Sequence, residues 1–303
     1  MRIFVLLFLV ITVTAQAGLL HEPGETVLPL LKMPLSVRVQ AMGGAGAAST
    51  DDGAYASLNP AGIQRLKNDA VLLEHLNSLQ ETQRVEFINA TLLYKRFRLG
   101  ATLQFNDYGT APLTTDGSDY SEANTFNTYD AVGMVTTGME WRGVQWGATL
   151  KLFRQALFNE SMSGGALDVG ALYSTPVTGL DAGASLLNLG IAETVGGTRY
   201  PLTAVLRAGA AYTRIINDRL ILMAALDVNA TNDGALSLPA GLEARWNGLS
   251  MRGGYHFLHD TRTFSFGAGF TFARWTLDYA YLHSREDMDA QGQPHFFALA
   301  MAL

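Results

Sequence analysis

Ten charged residues stand scattered among small and apolar neighbours: Arg98, Lys151, Asp168, Asp181, Arg207, Asp227, Glu243, Arg245, Arg252 and Asp278. Both signs are present, so they could pair with one another and fill an interior, or they could line a polar path. A second group lies upstream, in a glycine-rich segment: Arg38, Met42, Gly43, Gly44, Asp51, Asp52, Asn59, Pro60 and Gly62. Arg38, Asp51 and Asp52 would hold that segment to wall residues of opposite sign. Catalytic chemistry finds little support. Of the six histidines only His256 and His259 are close, beside Asp260, where two strands turn and side chains are expected to face solvent. Gly43-Gly44-Ala45-Gly46 lacks the spacing and the preceding strand of a dinucleotide loop. Its glycines suit close backbone packing instead. A Ser-His-Asp set cannot be assembled from the spacing, and neither a metal nor a cofactor is expected.

Composition narrows the classes. Charged residues are 16% of the 303-residue chain and glycines number 31, against about 25% and about 7% in ordinary soluble domains. Cysteine is absent, which excludes thiolate metal sites, a Cys nucleophile and a lipid-anchored N-terminal cysteine. The formal net charge is −6, and no basic block marks a nucleic-acid surface. Arg2, the apolar run Ile3 to Val13 and Ala15-Gln16-Ala17 form an export signal, residues 1–17, cleaved near Ala17. No later apolar run is long enough for a spanning helix, so the exported chain is either soluble or a β-barrel.

The elements that position these residues read in order. Residues 18–67 begin with Pro23, Pro29 and Pro34, which exclude a regular helix or central strand. They continue through the glycine-rich segment, where Asp51 or Asp52 could cap a short helical turn ending near Leu58. So small a segment cannot form its own core and is expected to fold as a hatch inside walls built by residues 68–303. There, 14 strand-like segments are expected: 69–79, 83–95, 97–107, 126–141, 143–157, 162–174, 178–190, 200–214, 219–230, 235–247, 249–258, 263–273, 274–284 and 294–303. Most reach the roughly 9–11 residues of a membrane-crossing strand.

Alternation supports that reading. Phe97, Leu99, Ala101, Leu103 and Phe105 oppose Arg98, Gly100, Thr102, Gln104 and Asn106. Val144, Trp146, Ala148, Leu150 and Leu152 oppose Gln145, Gly147, Thr149 and Lys151. Apolar-out, polar-in repetition around a closed sheet is the transmembrane-barrel pattern. The fold class is therefore all-β: a transmembrane antiparallel barrel of about 14 strands with a small N-terminal hatch, in the bacterial outer membrane. The longest link, Asp107 to Thr125, is expected outside, and the tight links at Arg142-Gly143 and Ala273-Arg274 on the periplasmic side.

The chain resembles the PorV/PorQ family of outer-membrane proteins, a branch related to FadL-type 14-stranded barrels. The resemblance lies in Arg38, Ala41-Met42-Gly43-Gly44-Ala45, Asp51-Asp52 and Asn59-Pro60-Ala61-Gly62, with fragments such as Gly183 to Gly190, Arg252-Gly253-Gly254-Tyr255 and Leu277-Asp278-Tyr279-Ala280-Tyr281. It implies a non-enzymatic barrel with a hatch, acting in type IX-like protein secretion or envelope assembly. The more distant FadL-type relatives imply an alternative, a conduit for hydrophobic small molecules. The expected partners are outer-membrane lipid and either secretion-system proteins or a hydrophobic ligand. A third reading is an exported soluble β-protein or enzyme. A conduit should present an apolar pocket lined by residues such as Phe153 or Leu187 and a lateral gap in the wall; a secretion partner should be sealed.

Overall fold

Small and polar side chains on the inward face of many strands, with large apolar ones on the outward face, let the sheet curl until its first and last strands meet. The computed structural model describes residues 26–78, 83–94, 97–112, 125–157, 160–195, 198–258, 262–284 and 293–303. The signal segment, its cleavage site, His21, His259 and most of the link between Asp107 and Thr125 lie outside the described residues.

Fourteen antiparallel strands form a closed barrel: β1 (Ala70–Ser78), β2 (Gln83–Tyr94), β3 (Phe97–Pro112), β4 (Thr125–Trp141), β5 (Val144–Leu157), β6 (Glu160–Ser174), β7 (Leu180–Ala192), β10 (Val205–Ile215), β11 (Leu220–Thr231), β12 (Leu236–Trp246), β13 (Leu249–Phe257), β14 (Arg262–Phe272), β15 (Trp275–Ser284) and β16 (His295–Ala302). β16 pairs with β1 from Ala302↔Ala70 to His295↔Asn77, which closes the ring. A two-stranded hairpin, β8 (Thr194–Val195) and β9 (Thr198–Arg199), rises between β7 and β10. The single strand expected over 200–214 is thus shorter, because Pro201 has no N–H to give a ladder. β10 starts only at Val205.

The outward face is apolar. Leu99, Leu103, Leu150, Leu152, Leu242, Met251, Phe266 and Leu277 are exposed, whereas Thr102, Gln104, Thr149, Lys151, Glu243 and Arg252 on the alternate positions are buried. One outward-facing His–carboxylate contact, His75 Nδ1 to Glu86 Oε1 at 2.7 Å, lies three residues from the strand ends. Turns at Arg142-Gly143, Asn247-Gly248 and Ala273-Arg274 are tight and use left-handed backbone (φ 53°, 48° and 53° at Arg142, Asn247 and Ala273). By loop length that end is the one expected on the periplasmic side; it is called periplasmic below and the other end outer.

The hatch fills the lumen, running from the outer end downward. A 3-10 turn (Pro29–Lys32) leads to α1 (Val37–Ala41), whose N-cap Ser36 accepts a hydrogen bond from Val39 N. α2 (Tyr55–Leu58) and a second 3-10 turn (Pro60–Arg65) follow, the latter capped by the Asn59 side chain, which accepts from Ala61 N. Leu35, Val37 and Val39 pack with Leu72, Leu76, Val85, Phe87, Leu282 and Phe296 of the wall. Leu28, Leu31, Tyr55 and Ile63 pack with Val132, Met134, Phe153, Met162 and Leu202.

Glycines on the inward face mark where the hatch backbone touches the wall. A Cβ at Gly254 would overlap the Met42–Gly43 junction, and one at Gly147 would overlap the Pro60–Ala61 junction. Gly43 itself has φ +69°, and a Cβ there would lie 2.7 Å from Tyr255 N. Over-packing of this kind costs about 1–3 kcal/mol or more. Gly254→Val is therefore expected to leave the barrel formed, with heat-modifiable gel mobility retained, while trypsin gains access to Arg38 and Arg65. Unchanged protection of residues 26–66 would count against this docking.

Candidate functional site

The interior charges gather around Glu243. Its carboxylate is fully buried and accepts from Arg38 Nε (3.0 Å) and Nη2 (2.8 Å), Arg245 Nε (2.9 Å) and Arg252 Nε (2.7 Å). Arg252 is delivered by register, since Glu243 and Arg252 are direct cross-strand partners. Arg38 Nη1 also donates to Ser49 O (2.9 Å) and pairs with Asp51, Arg245 lies 3.7 Å from Asp51, and Arg252 pairs with Asp278. Three arginines thus meet three carboxylates. Burial alone would pull the Arg38 guanidinium down, but Asp51 and Glu243 raise it above its ordinary value. Hatch and wall are joined by charge at this point.

The other interior charges form separate posts. Asp227 accepts Gly46 N (2.7 Å) and Ala47 N (2.8 Å). Arg207 donates to Lys32 O at 2.6 Å. Lys151 binds Asp168 at 2.7 Å and Asn188 Oδ1 at 2.7 Å, while Asp168 accepts Asn188 N at 2.6 Å. Asp181 meets Arg65 at 3.2 Å near the periplasmic mouth, and Arg98 donates to Leu66 O. Of the upstream group, Met42 packs fully buried on Gly241, and Gly43 N donates to Ser265 Oγ at 2.9 Å. Gly44 has φ +92° and faces Pro239 and His256, and a Cβ at Gly62 would crowd Thr50 and Tyr55. Asn59 Nδ2 donates to Ala47 O (2.8 Å) and Ala171 O (3.2 Å), which sets Pro60 against Gly147 and Gly170. Asp52 does not join the wall ion pairs. It accepts from Ser36 Oγ (2.7 Å) and Ala54 N (3.0 Å), and burial raises its carboxyl above the usual range.

One expectation is corrected. His256 does not face solvent; it sits on the inward face of β13, at the same parity as Arg252, against Gly44. Sequence reasoning also missed several anchors. Glu74 accepts Val37 N at 3.1 Å from the wall. Its signal was available: Leu72, Glu74 and Leu76 share one face of β1, and an acid between two leucines requires a buried donor. Lys32 with Asp233, and Asn188 with its donations to Leu31 O (3.1 Å) and Thr203 O (3.0 Å), had no comparable signal.

The wall is interrupted near its outer end. β7 runs to Ala192 but pairs with β10 only as far as Leu187↔Val205. Among the described residues, its last five, 188–192, pair with no strand on that side, because β10 begins only at Val205. Five residues span about 16 Å. Residues 26–33 lie against this notch: Val27 bridges Leu202, Val27 N donates to Pro201 O (3.0 Å), and Leu28 and Leu31 are buried. Phe153 and Leu187 are inward and covered. Two recesses beside the hatch are small. One is lined by Leu35, Val37, Glu74, Leu76, Val85, Phe87 and Phe296, and another by Gln40, Gly43, His256, Ser265 and Leu282; each holds about 10 Å³, room for about one water.

Two outcomes follow. Removing one member of a buried ion pair costs about 3–5 kcal/mol, so Glu243→Gln, which strands three arginines, should loosen the hatch far more than Asp51→Asn at the exposed edge; hydrogen exchange of residues 37–49 measures this. The outer latch should depend on pH. Burial pushes the Asp233 carboxyl up, but its bonds from Lys32 and Thr231 outweigh that and hold it below the usual carboxylate range. Its stabilising contribution is therefore complete above the unfolded value of about 3.9 and is lost as pH falls through the lower folded value. Exchange of residues 26–33 should rise below about pH 4, and Lys32→Met should flatten that dependence.

No family model and no curated protein sequence matches this chain. Solved structures do. The Ralstonia pickettii toluene transporter TbuX is 13% identical, covers 88% of this chain and 98% of its own, and superposes with a TM-score of 0.58. The P. putida toluene transporter TodX is 12% identical over 88% of this chain and 98% of its own, with a TM-score of 0.61. A Pseudomonas aeruginosa FadL homologue is 10% identical over 88% and 97%, at 0.51. At such identities the likeness is one of architecture, and it is consistent along nearly the whole length: this chain has the fold of the FadL-type 14-stranded outer-membrane barrels.

Proposed function

We propose that this protein is a FadL-like, non-enzymatic conduit that carries hydrophobic small molecules across the outer membrane. The observation that carries the reading is the notch between β7 and β10, where the wall lacks ladder partners and an apolar stretch of the chain's own hatch lies against it. A ligand entering from the outer end would displace residues 26–33. It would then rest against Phe153, Leu187 and Val205, and it would move on when the hatch shifts. That strap is held by few bonds, chiefly Val27 to Pro201, Lys32 to Asp233, and the donors Asn188 and Arg207. The names carried by TbuX and TodX, toluene transporters, agree with this class of cargo.

A second reading, a PorV/PorQ-type barrel in protein secretion or envelope assembly, draws on the hatch packed into the lumen, where two recesses hold about one water each. A sealed barrel would act through its faces rather than its bore, and its strap would have no reason to move.

The two readings separate on a strap lock. Native cysteine is absent, so Val27→Cys/Leu202→Cys can form one engineered disulfide without competing thiols. Oxidation is expected to reduce uptake of a fluorescent naphthylamine tracer by cells making the protein at least about tenfold, with recovery on reduction. Uptake that is the same locked and unlocked, or no higher than in cells lacking the protein, sinks the conduit.

A further inference from the structure

All four tryptophans of the chain, Trp141, Trp146, Trp246 and Trp275, face outward at the periplasmic end, each exposed by 41–55%. Three of them stand beside an arginine in or next to a tight turn. The Arg142 guanidinium lies over the Trp141 ring, 4.5 Å from its centroid. Arg274 precedes Trp275. Arg219 adjoins Leu220, the cross-strand partner of Trp246. The three arginines are exposed, and among the described residues none is in an ion pair with a carboxylate. Arg214, on the outward face of β10, adds a fourth cation to the same rim. The acids nearest in sequence are Glu140, Asp218 and Asp278, and Asp278 is engaged inside the barrel by Arg252. At the outer end the outward rings are Tyr, Phe and His instead, as in Tyr279 with His295 and Phe264 with His283. The asymmetry is one of kind, since tryptophan and unpaired arginine occur together at one rim only.

We propose that these Trp–Arg pairs are head-group sites for anionic glycerophospholipids of the periplasm-facing leaflet. Indole belongs at the boundary between acyl chain and head group. A guanidinium fork presents two parallel donors to phosphate oxygens. Stacking on Trp141 holds the Arg142 fork in place before a lipid arrives, which reduces the ordering cost of binding. The left-handed turn at Arg142-Gly143, with φ 53° and 74°, puts the arginine at the apex of the link rather than in the wall. An amine-bearing zwitterionic lipid brings its own cation to the phosphate and competes with arginine, so the sites select net negative charge.

The tryptophans are also the reporters. The full-length protein is placed in bilayers of equal parts phosphatidylglycerol and phosphatidylethanolamine, with brominated acyl chains on one lipid or on the other. Brominated phosphatidylglycerol should occupy the rim about fivefold more than its bulk share and quench the tryptophans more strongly than brominated phosphatidylethanolamine. The variant Arg142→Gln/Arg219→Gln/Arg274→Gln, with heat-modifiable mobility confirming a formed barrel, should quench equally with both. Equal quenching in the unaltered protein overturns the proposal, and so does a preference that survives the triple substitution. Loss of the preference on adding inorganic phosphate would assign the arginines to a small anion and overturn the lipid assignment.

Discussion

A backbone amide in hydrocarbon has no water to bond, and each unpaired one costs several kcal/mol. That constraint makes the β1–β16 ladder the contact on which the molecule depends. Without Ala70↔Ala302 through Asn77↔His295, two strand edges would face lipid. With it, every strand acquires two neighbours and an inside. Inward positions can then be small or polar, because their surroundings are protein. The exposed Leu, Phe and Met on the outward face become favourable rather than a hazard. The notch at residues 188–192 is the exception, and the chain answers it from within: Asn188 adopts φ 62° at the β6–β7 irregularity, and its side-chain amide bonds Leu31 O and Thr203 O.

Closure creates a space that the wall's own side chains do not fill. The hatch fills it by backbone approach rather than by bulk. Met42, Gly43, Ala47 and Pro60 lie against wall glycines where any side chain would collide. Close approach removes water from the arginines and carboxylates at the same level, and an isolated buried charge there would be costly. The arrangement around Glu243 meets that cost by balance, three cations against three anions, with the forks of Arg38 and Arg252 supplying hydrogen bonds as well as charge. The glycine surface and the ion network are two consequences of one geometry.

Much of this was legible before the fold was known, and the reason is periodicity. Strand faces repeat every two residues, so Phe97 to Asn106 and Val144 to Leu152 declare their inside and outside directly. The glycine-rich segment has too little apolar bulk for a core of its own, and almost all of its residues are buried against the wall strands. Lone charges such as Glu243 and Arg252 were legible as interior by parity. Their partners were not, because Arg38 and Glu243 are 205 positions apart and only the register of closed strands brings them together. The early end of pairing at Leu187 was illegible for the same reason. Pro201 hinted that a strand could not begin at residue 200, but nothing local showed that β7 would outrun β10. His256 was misplaced because it was read from nearness to a turn alone, without its parity with Arg252.

A filled bore and a transport role are compatible once the hatch is taken in two parts. The deeper part, from Val37 to Arg65, is pinned by Glu243, Asp227, Glu74 and Ser265 and lies among wall glycines. Moving it would expose several buried charges at once. The strap at residues 26–33 rests on one ion pair among the described residues, a few hydrogen bonds and the apolar side chains of Val27, Leu28, Leu30, Leu31 and Met33. A hydrophobic ligand can replace leucine contacts nearly in kind, whereas it offers nothing to an orphaned guanidinium. Differential affinity is all that a ligand can use to shift a conformation. On the conduit reading, an apolar cargo would have purchase on the strap and almost none on the deeper plug, so opening would begin at the notch and the arginine cluster would set how far down it spreads.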